Sequence, residues 1–329
     1  MKNKQLGVVC CYFNPCGYKS KYDNFITFYS ALKKQIKDIH VVELSSPLPL
    51  PEEIEGRRIS SDSILWHKEN LLNLGISDLI NDGYKNIAWL DADILFQDGF
   101  WVKDAVDCLN NYKLCQLFSK AHKIQTNGIE TSHPGCVRYW SETGNLYPTN
   151  TLYHTGYAWA ARSECLESLQ LYDKSILGGG DSLVWFGAFD GIINVYELLQ
   201  FHPIFRLEIN AYIIDYLDWS EKWGKIINGE VSYVYNNIQS LPHGNNSNKH
   251  YISRYNILAK HNYSPKKDVI YNNGILECTN KGLSKDIFKY FKSRKEDNPS
   301  LLRKFSNFLN KLAIKKEIED ADRSLSKSL

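Results

Sequence analysis

Short apolar runs alternate with amphipathic stretches through the first hundred residues, and this alternation predicts a β-α-β opening. Residues 5–13 form an apolar run that stops at Asn14-Pro15, with Gly17 in the loop that follows. Over 22–36, Phe25, Phe28, Leu32 and Ile36 recur at helical spacing, and 39–44 is a second β-type run. After the prolines at 47, 49 and 51, residues 63–79 again have a helical period through Ile64, Leu71, Leu72 and Leu74, with Ser61 or Asp62 as candidate caps. The stretch NIAWLDADILFQ, residues 86–97, comes next. Its apolar core, 87–90, follows a polar turn and is short enough to be a strand buried on both faces. It ends abruptly in two carboxylates, Asp91 and Asp93, before Ile94, Leu95 and Phe96.

Strands alternating with helices imply a mainly parallel, doubly wound α/β sheet. Beyond Asp98 the pattern predicts a helix over 101–109, a strand over 114–118 and a long irregular segment over 121–150. So long an irregular segment in a compact domain is usually functional or mobile. A strand over 153–161 and a helix near 163–171 precede GGGDSLVWFG, residues 178–187. Helical patterns return over 204–216, 250–261 and 285–292; one strand is expected over 231–238 and a turn-rich loop, LPHGNNSNKH, over 241–250. Residues 299–329 stand apart: Leu301, Leu302, Phe305, Leu309 and Leu312 lie at helical spacing among basic residues. That tail reads as a helix packed on the domain or in a dimer, or as a basic amphipathic helix at a membrane surface. The expected organisation is one domain, 1–298, with halves 1–98 and 99–298, followed by the helical extension 299–329.

Composition changes this picture little. With 329 residues, 43% of them hydrophobic, the chain has ample material for a core, and a net charge of +2 gives no reason to invoke a nucleic-acid scaffold. The eight cysteines contain no CxxC pair and sit mostly in apolar segments, as reduced thiols in a cytoplasmic protein would. The lysines before the first apolar run outline a signal peptide, but the run is short, lacks a small-residue cleavage site and leads into Asn-Pro, so a first strand is expected instead. No stretch reaches the roughly 20 apolar residues of a membrane span. The sequons at Asn245 and Asn262 then carry no weight.

Two carboxylates at the end of a buried strand need a partner, and the carboxyl ends of strands are where ligands bind in open α/β sheets. A hard divalent cation, Mg²⁺ or Mn²⁺, is the candidate: two oxygen donors two residues apart can reach it, and it keeps positions open for substrate phosphates. An Asp-x-Asp pair also begins the phosphatase motif of the haloacid dehalogenases. There, however, the nucleophile follows the first strand and the pattern runs on toward a Thr. A calcium loop of EF-hand type needs further ligands and a Gly that are missing here.

Several ordered motifs are more specific: CYFNP at Cys11, LWHKENLLN at Leu65, AWLDADILF at Ala88, GYAWAAR at Gly156, ILGGGDS at Ile176, LPHG followed by NKHYISR, and YFKSRKED near Tyr290. Together they resemble a DxD-containing group of GT-A-type nucleotide-sugar glycosyltransferases from phages, large viruses and bacteria, over residues 11 to about 298. His67 stands where the group usually has Gln, and no role is assigned to it. The resemblance implies a GT-A-like, Rossmann-like sheet and a metal-dependent transfer of a sugar from a nucleoside diphosphate donor, a UDP-sugar first, to an acceptor hydroxyl on a glycan, lipid, protein or modified nucleic-acid base. It implies that Asp91 touches the ribose or the metal's shell, that Asp93 ligates the metal and that Lys68 faces the donor.

The residue chemistry agrees. His243, in a Gly-containing loop, is either a third metal ligand or a solvated turn residue. Lys249 and Arg254 could hold phosphate oxygens, or be surface charge. Asp181, after three glycines, is a candidate general base for the acceptor hydroxyl and also a candidate helix N-cap; the roles are compatible. Gly179 and Gly180 would let the backbone approach the acceptor. Tyr157, Trp159 and Trp185 either stack on sugar faces or fill the core. Tyr12, Phe13 and Asn14 end the first strand, where a nucleotide base would sit. The rivals to transfer are a phosphohydrolase using Asp91 as nucleophile and a catalytically silent nucleotide- or carbohydrate-binding protein.

Overall fold

The computed structural model describes residues 4–124, 130–147, 152–192, 194, 207 and 209–297. The opening is the expected one: strand β1 (Leu6–Tyr12), helix α1 (Lys19–Leu32), strand β2 (Ile39–Leu44), a further strand β3 (Gly56–Ile59), helix α2 (Lys68–Asn81) and strand β4 (Asn86–Leu90). After it come β5 (Ile94–Phe96), α3 (Trp101–Asn111), β6 (Leu114–Gln116), β7 (Lys120–Ile124), β8 (Glu130–Pro134), α4 (Cys136–Thr143), β9 (Ala158–Arg162), α5 (Ser163–Ser168) and α6 (Gly180–Gly187). The long α7 (Asn210–Ile227), strands β10 (Val231–Tyr233) and β11 (Asn237–Ser240), four short helical segments, a hairpin β12 (Val269–Asn272) to β13 (Ile275–Cys278), and α8 (Lys281–Ser293) complete the described chain.

A seven-stranded sheet in the order β10-β6-β9-β4-β1-β2-β3 forms the centre. All its pairings are parallel except those of β9, which runs antiparallel to both β4 and β6. This is the mainly parallel, helix-flanked α/β architecture expected of a GT-A-like chain. A second, four-stranded sheet, β5-β11-β7-β8, sits beside it.

Burial on both faces explains the apolar run of β4. Ile87 and Trp89 join a core with α2, α6 and α7, while Ala88 and Leu90 point to the other face, where α1 and α3 supply Phe25, Phe28, Trp101 and Leu109. Both cores, and the central sheet, draw on residues from either side of position 98.

Three expectations change, and one falls outside the described residues. The segment 121–150 is not irregular where described: it contains the β7–β8 hairpin and α4. The strand over 231–238 is two strands in different sheets, β10 pairing with β6 and β11 with β5 and β7. Neither Ser61 nor Asp62 caps α2, which starts after His67. The amphipathic tail 299–329 lies outside the described residues. All eight cysteines are free thiols, and no described helix is long and apolar enough to cross a membrane.

Candidate active site

The carboxyl ends of β1 and β4, the turn before β9, the loop after β11 and the loop before α6 enclose a cavity of about 640 Å³. Asp91 and Asp93 lie in the three-residue turn between β4 and β5, so the strand that the sequence marks as buried delivers both carboxylates to this cavity. They do not do the same thing there.

Asp91 is held by the large sheet. Its N–H donates to the Tyr157 carbonyl at 2.7 Å and its Oδ2 accepts the Tyr157 N–H at 3.2 Å. Tyr157 meets both with φ of +82°, a left-handed conformation that is unusual for a bulky residue and marks stored strain at the site. Oδ1 of Asp91 pairs with Lys68 Nζ at 2.6 Å, and the same ammonium binds both carboxylate oxygens of Asp181 at 2.8 Å. Lys68, at the start of α2, therefore bridges two carboxylates from distant parts of the chain. Burial pushes the Asp91 carboxyl up to about 6 despite the pull of Lys68.

Asp93 belongs to a different set. Its carbonyl accepts the Leu241 N–H at 2.7 Å, and its Oδ2 lies 2.8 Å from His243 Nε2. Burial raises the Asp93 carboxyl, but the hydrogen bond and charge of His243 outweigh it and hold it below the usual carboxylate value. The other ring nitrogen of His243, Nδ1, meets Glu296 Oε2 at 3.3 Å; Glu296 is fully buried, pairs with Arg294, and has Lys21 Nζ at 3.6 Å. Lys249 Nζ stands 3.2 Å from His243 Nε2, and burial pulls this amine down to about 8.

This arrangement tests the expected metal set. Donor atoms of neighbouring ligands on a Mg²⁺- or Mn²⁺-like ion at roughly 2.1 Å are about 3 Å apart, and Asp93 Oδ2 and His243 Nε2 have that spacing. The Glu296 contact orients the imidazole as an outer-shell partner does. Asp91 does not complete a three-residue set, because Lys68 and Tyr157 occupy its oxygens. No group of three or more His, Cys, Asp or Glu side chains spaced to share one ion occurs among the described residues. Two protein donors suit a hard cation that takes its remaining ligands from water and phosphate.

Other expected site residues divide clearly. Tyr12, Phe13, Lys68, Tyr157, Gly179, Asp181, His243, Lys249 and Arg254 line the cavity. Asn14 does not: it is fully buried, donating to the Tyr12 hydroxyl and the Tyr18 carbonyl and accepting the Tyr18 N–H, so it shapes the end of β1 from behind. Trp159 and Trp185 are core residues, their indole N–H groups satisfied by the Thr155 and Leu146 carbonyls, and neither presents a face to a sugar. Gly180 faces Glu69 rather than the cavity, and a Cβ there would collide with that carboxylate. Asp181 is not the N-cap of α6: Gly179, at φ +98°, holds that position and Asp181 lies in the first turn with its carboxylate turned to Lys68.

Arg294 and Glu296, which support His243 from behind, lie within the motif YFKSRKED. Trp66 and Tyr251, which lie in the motifs LWHKENLLN and NKHYISR, also line the cavity, as does Lys21, which belongs to no motif.

No protein-family model and no curated protein matches this chain. Among solved structures it is similar to glucosyl-3-phosphoglycerate synthase from Mycobacterium tuberculosis in complex with Mn²⁺, uridine diphosphate and phosphoglyceric acid, at 14% identity over 81% of each chain and a TM-score of 0.40. It is also similar to a putative nucleotide-diphospho-sugar transferase from Desulfovibrio desulfuricans (10% identity, 88% of this chain and 98% of that one, TM-score 0.33). A third is the catalytic domain of Drosophila beta1,4-galactosyltransferase 7 in complex with xylobiose (12% identity, 58% of this chain and 63% of that one, TM-score 0.31). With TM-scores this low, the chemistry has to come from the residues themselves.

Proposed function

We propose that the protein is a metal-dependent glycosyltransferase that moves a sugar from a nucleoside diphosphate donor to an acceptor hydroxyl. One observation carries this reading: a carboxylate–imidazole pair with ligand spacing, Asp93 and His243, shares a cavity at the carboxyl ends of β1 and β4 with a lysine beside it and a second, lysine-bridged carboxylate opposite. Asp93 and His243 would hold Mn²⁺ or Mg²⁺, and the ion would neutralise charge on the departing diphosphate. Lys249 would hold phosphate oxygens, and Tyr12 and Phe13, at the end of β1, would receive the base, with UDP the first nucleotide to try.

Lys68 bridges the two remaining carboxylates, Asp91 and Asp181. Asp181 is the candidate general base for the acceptor hydroxyl, which it reaches once Lys68 gives up one of its partners. A nucleophilic role for Asp91 is disfavoured, since the backbone N–H of Tyr157 as well as Lys68 holds its carboxylate, whereas among the described residues Asp181 is held by Lys68 alone.

A thermal-shift screen of UDP, GDP, TDP and CDP sugars with and without Mn²⁺ tests the donor reading directly. Metal-dependent stabilisation by one nucleotide is expected; phosphate release from simple esters with no nucleoside diphosphate product would overturn it. Asp181→Asn should slow transfer by about a hundredfold while leaving the donor-induced thermal shift unchanged.

A further inference from the structure

Arg254 is out of keeping with every other described arginine. Arg57, Arg58, Arg138, Arg162 and Arg294 each lie within ion-pair distance of a carboxylate, whereas no ion pair joins Arg254 to any carboxylate among the described residues. Yet Arg254 is the more deeply enclosed of most of them, with only 6% of its surface exposed, and it lines the cavity. Aromatic rings hold it instead: its guanidinium lies 4.8 Å from the Tyr255 ring centroid, 5.4 Å from Tyr251 and 5.8 Å from Trp66. One amine donates to the Tyr255 hydroxyl at 2.8 Å, and Nε has no hydrogen-bond partner.

A guanidinium taken out of water without a counter-charge is unfavourable, and rings on its faces leave its N–H edges undischarged. A planar fork of donors enclosed in this way suits a carboxylate or a phosphate.

Its neighbours indicate which substrate brings that anion. The Tyr255 hydroxyl that fixes Arg254 donates in turn to the Gly178 carbonyl at 3.0 Å. A Cβ on Gly178, where φ is +86°, would come within 3.2 Å of Arg254 Nη1, so the glycine leaves the guanidinium its space. Gly178 begins the loop that leads to Asp181, the candidate base. Lys249, in contrast, meets His243 Nε2, on the side of the candidate metal pair.

We propose that Arg254 forms an oxyanion subsite for the acceptor, so that the hydroxyl-bearing substrate also carries a phosphate or carboxylate group. The proposal rests on the transfer reading, but its test separates the two. Sulfate and acetate, as tetrahedral and planar probes, are titrated calorimetrically into the full chain with Mn²⁺, with and without saturating UDP, for the unmodified protein and for Arg254→Gln.

The expected result is that at least one probe binds the UDP-loaded protein, that Arg254→Gln weakens that probe by about tenfold or more, and that UDP affinity is unchanged. Sulfate alone would point to a phosphorylated acceptor and acetate alone to a carboxylated one. Displacement of the probe by UDP would assign Arg254 to the donor diphosphate and overturn the proposal, and this competition needs no variant. So would equal binding to Arg254→Gln, or binding of neither probe. Should UDP itself fail to bind, the transfer reading falls, while the nucleotide-free titrations still decide whether Arg254 is an oxyanion site.

Discussion

The two ends of the cavity hold their charges by different means. Around Asp93, every charge has an opposite or a hydrogen-bonding neighbour: Asp93 meets His243, His243 meets Glu296, and Glu296 meets Arg294 and Lys21. Around Arg254 the cation is held by tyrosine and tryptophan faces and one hydroxyl. The first arrangement fixes donor atoms in place before a ligand arrives, as a metal or diphosphate site requires. The second leaves a strong donor undischarged. Lys68 stands between them, its one ammonium shared by Asp91 and Asp181.

The contrast breaks most visibly at Asp93. Asp93→Ala should abolish metal-dependent turnover, by about a thousandfold or more, with an unchanged circular dichroism spectrum; an active variant would remove the candidate metal pair from the mechanism. Lys68→Met leaves two partly buried carboxylates facing one another, and should cost about 3 kcal/mol in denaturant unfolding. Adding Asp181→Asn to that variant should restore much of the loss, because it removes one of the two charges.

A subtler effect lies just behind the bridge. Glu69 is buried with Oε2 lacking a hydrogen-bond partner, next to Lys68 and against Gly180; burial, only partly offset by Lys68, pushes its carboxyl from 4.5 up to about 8. The folded protein therefore keeps a proton that the unfolded chain releases above pH 4.5. This contribution to stability is full at low pH and is lost as pH rises toward about 8. Glu69→Gln should flatten that decline in unfolding free energy between pH 5 and pH 8, by about a few kcal/mol at most; an unchanged slope would mean that Glu69 is ionised throughout. The smallest effect belongs to the aromatic end. Tyr255→Phe removes the hydroxyl that links Arg254 to the Gly178 carbonyl and should cost about 1 kcal/mol in unfolding, with UDP binding unaffected.

Strand β4 was legible because burial on both faces of a parallel sheet leaves a continuous apolar signature, and two acidic residues at its end contradict that signature sharply enough to be noticed. Strand β3, GRRI, was not, since it is an edge strand with little buried surface and no apolar pattern. The β7–β8 hairpin carries no clear strand pattern for a similar reason: ETSHP and its surroundings hold mixed polar residues on a small, partly exposed sheet. Candidate ligands close in sequence, Asp91 and Asp93, were found together but turned out to serve different partners. The Lys68–Asp181 contact spans 113 residues, and no local pattern announces it. Trp159 and Trp185, for which the sequence leaves both a sugar face and a core place open, fill the core.

The turn carrying Asp91 and Asp93 also joins two sheets. Asp91 is fastened through Tyr157 to the large sheet, whereas Asp93 is fastened through Leu241 to the end of β11 in the small one. Any tilt of one sheet against the other must be absorbed within residues 91–93, since the chain on either side is locked into a ladder of hydrogen bonds. The spacing between the two carboxylates is thus tied to the angle between the sheets, because each carboxylate is fastened to a different one.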